Sequence, residues 1–500
     1  MAPTRLHELA ARNAAIRPDR PALRDGEGTV HSWGALDAAI SEASEILRAR
    51  GVRPGDRVLI VSENAPALVA FFFAASRLDA WAVPVNARLV AAELARIRDD
   101  ASPRVEIYVA TASPDAARHA ESVGALHVET ACGRVAIAQG GDARPEPVSD
   151  GADQVACLLY TTGTTGRPKG VMLSHGNLLF AGNASAQMRR MHPGDVIYGV
   201  LPITHVFGLA SMLSAAASVG AELRLVPRFR PEAVLAALHA GVTILPAVPQ
   251  MHALLVSHAR AIGEERLTGS DLRFVSSGGA PLDPELKRRA EAFYGLPLQN
   301  GYGMTETSAG ITATRSALGS GDVSVGLAFP GVEVALDSAD GAADGVGEIL
   351  TRGPHVMRGY YQNPEETARV MQDDGFLRTG DLGRMDEDGR LHVVGRSKEL
   401  IIRSGFNVYP VEVEAALVEH PKVIQAAVVG RRVEGGNEEV VAFVLVEPGT
   451  VLDAAELEAH VEPRLSPYKR PSAYRIETEL PATATGKILK HALATRLRDG

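Results

Sequence analysis

Short, β-branched apolar runs at 58–61, 105–109, 196–201, 242–245 and 272–275 alternate with stretches of helical pattern, the clearest spanning 66–77. A chain written this way returns each strand to the same sheet through a crossover helix. The expected fold class is therefore α/β with largely parallel sheets. The run 68–75, with three consecutive phenylalanines, is ended by Ser76 and Arg77. It falls far short of the roughly 20 residues that span a bilayer, so it reads as a buried helix and not as a membrane span.

The alternation does not last. The stretch 139–153, rich in Gly, Pro, Asp and Ser, reads as a loop between two α/β blocks. From 323 to 357 helical patterns give way to short strands with glycine turns, which predicts a small β subdomain. Beyond it come a strand at 391–394, a helix opened by Pro410 and closed before Pro421, strands at 423–429 and 440–446, a helix from Asp453 and a last short strand near Tyr474. That pattern is a compact α+β unit. The 500 residues correspond to about three compact units at ~150 residues each.

Composition narrows the partners. Lys and Arg number 51 against 60 Asp and Glu, a net charge of −9, and no run of like charges occurs. The basic footprint of a nucleic-acid or anionic-membrane binder is missing, which leaves small molecules as the expected partners. Cys132 and Cys157 cannot form a metal-ligand quartet or a disulfide framework and read as reduced, buried thiols. Arg5, Arg12 and Arg17 give the N-terminus a faint transit-like look, but Glu8 and Asp19 interrupt it and no apolar core precedes a cleavage site. The cytoplasm is the expected location.

The segment Tyr160-Thr161-Thr162-Gly163-Thr164-Thr165-Gly166-Arg167-Pro168-Lys169-Gly170 directly follows an apolar strand-like run at 155–159. Glycines let backbone amides approach an anion, threonine hydroxyls add donors, and Lys169 supplies a point charge, so the segment suits a polyphosphate. It is not a Walker A loop: its lysine follows proline, and no Ser or Thr succeeds it. With this loop, Tyr302-Gly303-Met304-Thr305-Glu306-Thr307, Thr379-Gly380-Asp381, Gly395-Arg396-Ser397-Lys398-Glu399 and Thr485-Gly486-Lys487 occur in order. In these motifs the chain resembles, over essentially its whole length, the adenylate-forming superfamily, which includes acyl- and aryl-CoA synthetases, luciferase and the adenylation domains of peptide synthetases.

The resemblance implies an architecture: an N-terminal AMP-binding domain, 1–395, of parallel α/β sheets with a small β-barrel subdomain, then a mobile α+β domain, 396–500, hinged near Lys398. It also implies an activity, the AMP-forming ligation of a carboxylic acid to CoA, with ATP and CoA as co-substrates and Mg²⁺ as cofactor. The alternatives are a freestanding adenylation enzyme that loads a carrier-protein phosphopantetheine and a luciferase-like enzyme. Whether the chain forms a homodimer is left open.

By the same resemblance, Thr161, Thr162, Gly163, Thr164, Thr165, Gly166 and Lys169 hold ATP phosphates. Gly279, Ala280, Pro281, Asn300, Gly301, Tyr302, Gly303 and Met304 surround the adenosine, with Tyr302 on adenine. Thr305 binds phosphate, and Glu306 with Thr161 places Mg²⁺, a hard ion suited to oxygen ligands. Asp381 accepts the ribose hydroxyls, Arg396 binds the ribose or its neighbouring phosphate, and Lys487 reaches the carboxylate and α-phosphate. Ser404, Gly405 and Phe406 line the pantetheine path after domain rotation. Lys398 stands at the hinge, where some relatives carry aspartate.

For the acid, the resemblance points to His205, Val206, Phe207, Ser211, Val248, Met251, Gly278, Gly279, Gly301, Met304, Ala309 and Gly310. His205 is expected to close the pocket without acting as a base, since the acid is already ionised near pH 7. None of these positions is a Lys or Arg, and Gly301 stands where malonyl-type relatives carry arginine, so a dicarboxylic acid is not expected. Glycines subtract wall volume while Phe207, Val248, Met251 and Met304 offer apolar contact, which favours an aromatic acid or a medium-chain fatty acid.

Overall fold

A computed structural model describes residues 2–141, 144–162, 168–338, 345–403, 406–433, 438–482 and 488–499. Its large N-terminal part holds two main sheets, of nine and eight strands. In the first, a parallel block runs in the spatial order Pro21–Arg24, Glu222–Leu225, Val196–Gly199, Ile244–Ala247, Phe274–Gly278 and Leu298–Tyr302. In the second, Val155–Thr162, Trp81–Asn86, Arg57–Ser62 and Val105–Tyr108 are parallel neighbours, and antiparallel strands extend the sheet on both sides. The α/β expectation holds. Two strands lie further along than their apolar runs implied, because parallel pairing draws Pro246 with Ala247 and Ser276 with Ser277 into the ladder.

The helix Pro66–Arg77 explains how the two sheets cohere. Every residue from Pro66 to Ser76 is buried, as expected of a helix apolar all round. Phe71, Phe72 and Phe73 belong to one apolar cluster that takes residues from both sheets, among them Ile60, Ala82, Leu223 and Ile244. At its C-terminal end Arg77 donates to Asp37 Oδ1 at 2.8 Å. No helix among the described residues is long and apolar enough to cross a membrane.

The small β subdomain is an open antiparallel sheet of four strands, Glu333–Asp337, Gly347–Arg352, Leu377–Met385 and Leu391–Arg396. Among the described residues its outer strands do not pair, so the barrel expected here is not closed. The subdomain also extends further than expected, since the strand at 391–396 is its edge and not the first strand of the terminal unit.

From Ile401 onward the chain builds cores of its own. Gln425–Arg432 pairs antiparallel with Glu438–Leu445, which pairs parallel with Ala473–Glu477. Alternate residues of the central strand go to opposite faces, as the two-residue period of a strand requires: Val440, Ala442 and Val444 join one core, Val441 and Phe443 the other. The helices Pro410–Val418 and Ala454–Val461 cover the first face, and Lys490–Asp499 covers the second through the fully buried Leu493. That last helix and the hairpin Ile401–Arg403 with Phe406–Val408 are not evident in the sequence pattern.

Candidate active site

A deep cleft opens at the carboxyl ends of the parallel strands, where ligands of open α/β sheets bind. Register aligns Ala247 with Ser277, Ser277 with Asn300 and Gly278 with Gly301, and Ser277, Gly278, Asn300 and Gly301 line the cleft. A Cβ on Gly278 would lie 3.2 Å from the Phe207 ring, so the absent side chain is what lets that ring lie against the strand. Among the described residues, Ser277 Oγ and Asn300 Oδ1 are enclosed by protein without a hydrogen-bond partner, although buried polar atoms are nearly always paired.

The Tyr302–Thr307 motif folds into a tight turn directly after its strand. Ala309 N donates to Met304 O at 3.2 Å, Ile311 N to Tyr302 O at 2.9 Å, and Met304 N to Thr307 Oγ1 at 3.0 Å. Ser308 and Ala309 adopt positive φ, +51° and +86°, a backbone state that costs non-glycine residues free energy and concentrates at ligand sites. Gly303 is required by the same turn: a Cβ there would fall 1.6 Å from Ala309 O. Thr305 and Glu306 are buried at the turn, and Tyr360 Oη donates to Glu306 Oε1 at 2.8 Å.

Three stretches of chain meet at Asp381. Gly380, at φ +74°, takes the left-handed turn before it, and Asp381 N donates to Thr379 Oγ1 at 3.1 Å. The Asp381 carboxylate accepts from Tyr302 Oη at 2.6 Å and forms an ion pair with Arg396, Nε standing 2.9 Å from Oδ1. The Asp381 charge holds the Arg396 guanidinium above its ordinary pKa, and burial together with Asp381 pushes the Tyr302 phenol well up. The phenol is therefore a donor at neutral pH.

Lys169 sits in the strand Pro168–Ser174, directly opposite Thr161. Its ammonium pairs with Glu366 and lies 5.2 Å from the centre of the Tyr360 ring. The hydrogen bond from Lys169 holds the Glu366 carboxyl below its usual range. Gly163, Thr164, Thr165, Gly166, Ser404, Gly405 and Lys487 lie outside the described residues. Phe406 opens the strand Phe406–Val408, and Lys398 lies in the one-turn segment Ser397–Glu399 that follows the strand ending at Arg396. Next to that turn, Lys490 pairs with Glu399 at 3.0 Å and with Glu414 at 2.8 Å.

His205 caps the short helix that follows it, its Nδ1 accepting from Phe207 N at 3.3 Å. The chain then continues as a π-helix, Leu209–Ser214, a form that often marks functional sites. His205, Val206, Phe207, Ser211, Val248, Met304, Ala309 and Gly310 all line the cleft with Gly279, Ala280 and Pro281. Met251 does not. It lies on the helix Pro249–Ala261 at a turn directed into the main core, 9% exposed.

A cation outside the positions expected to meet the acid is also found at the cleft. Arg189, four residues after Ser185 on the helix that begins at His175, lines the cleft and is 3% exposed. Its guanidinium donates to the carbonyl of Ser211. The doublet Arg189-Arg190 reads in sequence as two solvated charges at a helix end; the fold buries the first and exposes the second. Glu366 and Tyr360, the partners of Lys169 and Glu306, were likewise missed, since neither lies in a recognisable motif.

Glu306 and Thr161 both line the cleft and offer oxygen ligands, and no group of three or more His, Cys, Asp or Glu side chains among the described residues could hold a metal alone. Such a set fits Mg²⁺, which keeps waters and shares phosphate oxygens with its ligands. The family described as AMP-binding enzyme matches residues 10–361, and its C-terminal domain matches residues 412–487. The chain belongs to the AMP-binding enzyme family, and it is an AMP-forming acid–thiol ligase. It is 35% identical over 495 residues to a feruloyl-CoA synthase of an Amycolatopsis species, with 97% of each chain covered. Similarity to an indoleacetate–CoA ligase of Aromatoleum aromaticum is 33% over 501 residues, covering 97% of this chain and 96% of the other. Among solved structures, ATP-bound MatB from Rhodopseudomonas palustris superposes with a TM-score of 0.85 at 32% identity, covering 99% of both chains.

Proposed function

We propose that the cleft joins a carboxylic acid of aromatic (benzoate- or cinnamate-type) or medium-chain fatty character to the thiol of CoA through an acyl-adenylate. In the first step a carboxylate oxygen attacks the α-phosphorus of ATP, and the bond to the pyrophosphate oxygen breaks. Both reactants are anions, so the protein's task is to align them and to neutralise charge on the phosphoryl oxygens. Tyr302 supports the adenine, and Asn300 stands among the residues that bind the nucleotide. Asp381 takes the ribose hydroxyls, and Arg396 the ribose or the adjoining phosphate. Thr305, Lys169 and residues 161–166 hold the phosphates. Glu306 and Thr161 are the residues that would hold Mg²⁺, which supplies positive charge to the phosphate oxygens when bound. Lys487 bridges carboxylate and α-phosphate, and His205 closes the acid site.

In the second step the CoA sulfur attacks the acyl carbon, the acyl C–O bond to AMP breaks, and the thiol proton passes to solvent. Lys487 and the incoming thiol compete for the same approach. The segment 396–500 therefore turns about Lys398 between the steps, bringing Ser404, Gly405 and Phe406 to the pantetheine arm. The aromatic preference is supported by the apolar walls at Phe207, Val248 and Met304 and by the names of relatives that act on feruloyl and indoleacetate groups.

One observation carries the reading: Tyr302, Asp381 and Arg396, from three separate stretches of chain, converge through a hydrogen bond and an ion pair on the cleft that also takes in Lys169. The test is incubation with ATP, Mg²⁺ and a panel of benzoates, cinnamates and C4–C12 acids. Acid-dependent pyrophosphate release followed by consumption of free CoA is expected. Adenylate formation with no thioester on CoA, but transfer to a carrier-protein phosphopantetheine, would overturn the CoA assignment.

A further inference from the structure

Arg189 is a fixed positive charge that the reaction proposed above does not use. Its Nε is enclosed by protein and has no hydrogen-bond partner, and among the described residues its guanidinium has one hydrogen bond, to the carbonyl of Ser211. The acid nearest in sequence, Asp195, is wholly buried and already taken: Arg273 donates to it through Nε at 2.7 Å and also through Nη2. Arg273 in turn donates to the Arg189 carbonyl at 3.0 Å and so holds that backbone in place. Burial pulls the Arg189 pKa down to about 10, with no carboxylate opposing the shift. The group stays charged at neutral pH and bears the desolvation cost alone. A guanidinium offers five donors in a rigid fork, and buried charges are normally paired.

The surroundings explain what could pair it. Ser211 and Ser185 lie beside it, their hydroxyls 3.3 Å apart, and all three line the cleft along with the apolar Phe207, Val248, Met304 and Ala309. Ser211 stands a helical turn beyond Phe207, on the π-helix, and lines the same cleft as Lys169. In the reaction proposed above the reacting carboxylate is engaged at the phosphate site, which leaves this polar patch for another part of the acid.

We infer that the acid carries a second oxygen acceptor, phenolic or carboxylate, remote from its reacting carboxylate, and that Arg189 with Ser185 and Ser211 is the group that selects it. This rests on the acid–thiol ligase reading of the cleft and deepens it. A site built to hydrogen-bond a substrate group discriminates strongly against the analogue that lacks the group, because its own buried polar atoms are then left unpaired.

The test compares matched acids: cinnamate with 4-hydroxycinnamate and 4-carboxycinnamate, and hexanoate with hexanedioate. Acid-dependent pyrophosphate release is measured for the wild-type enzyme and for Arg189→Met and Arg189→Lys. In the wild type, at least one oxygen-bearing member is expected to exceed its plain partner about tenfold or more in kcat/KM. Whether the phenol or the carboxylate wins identifies the acceptor. Arg189→Met should abolish the preference by lowering kcat/KM for the oxygen-bearing acid far more than for its plain partner, and Arg189→Lys should retain part of it. Equal kcat/KM within every matched pair in the wild type would overturn the inference, as would Arg189→Met lowering both members of a pair by the same factor, the mark of a purely structural strut. Thermal unfolding with AMP and each acid supplies a readout independent of turnover. If no acid releases pyrophosphate, the ligase reading fails, while protection by the oxygen-bearing acids, lost in Arg189→Met, still decides the role of Arg189.

Discussion

Asp381 and Arg396 are directly opposed partners across an antiparallel ladder, and the ladder's register brings Arg396 Nε to 2.9 Å from Asp381 Oδ1. Tyr302, from a different sheet, donates to the other oxygen of the same carboxylate. A buried carboxylate held from two sides cannot swing, so its remaining lone pairs have a fixed direction in the cleft. Asp381→Asn keeps the shape but removes the charge that pairs Arg396. The variant should lose about 10- to 100-fold in kcat/KM for ATP, a loss of roughly 1.4 to 2.7 kcal/mol of transition-state binding, with little change in KM for the acid. Steady-state kinetics with each substrate varied in turn checks this.

The two half-reactions provide a separate test of the travelling lysine. Lys487→Ala should reduce adenylate formation, followed as acid-dependent pyrophosphate release, by about a hundredfold or more. The reaction of preformed acyl-adenylate with CoA should remain near the wild-type rate. Equal loss in both halves would remove Lys487 from its assigned role.

Lys169, assigned above to the ATP phosphates, is paired with Glu366, and the pair has a pH signature. The hydrogen bond from Lys169 depresses the folded pKa of Glu366 below its ordinary value of 4.5. A depressed carboxylate stabilises the fold above its unfolded pKa and loses that contribution as pH falls through the folded value. The gap in unfolding temperature between wild type and Glu366→Gln should therefore be present at pH 6–7 and close below about pH 4.5. The same variant leaves Lys169 without its carboxylate, so KM for ATP should fall or stay level. A rise in KM would mean that Glu366 helps to position the lysine.

Gly278 and Phe207 face one another in the cleft where the acid is proposed to bind. A Cβ at Gly278 would stand 3.2 Å from the Phe207 ring, closer than ordinary contact, and the ring must yield toward the cleft. Gly278→Ala should shift preference toward narrower acids, lowering kcat/KM for cinnamates about tenfold relative to short acyl chains. Phe207→Ala should do the reverse. A substrate panel run on both variants measures the two shifts against one another.

Motifs whose chemistry is local were legible before any fold was known. The turn at Tyr302–Thr307 needs glycine and a hydroxyl at fixed offsets, so its residues had to be neighbours. The buried helix Pro66–Arg77 declared itself because it is apolar on every side. Where the sequence misled, the cause was packing. Met251 looks like a pocket residue beside Val248, but the helix turns it into the core. The helix Lys490–Asp499 carries so thin an apolar stripe that its pattern reads as polar, although Leu493 is completely buried against the terminal sheet.

Residue order alone determined the α/β class and the terminal α+β unit, because strand and helix periods and glycine turns act over a few positions. Only the tertiary structure decided which distant groups touch. It set Asp381 against both Arg396 and Tyr302, gave Lys169 a carboxylate partner, left the small sheet open, and enclosed Arg189 while its neighbour Arg190 faces water. Burial and pairing across sheets depend on where separate elements come to rest, and no short window of sequence carries that information.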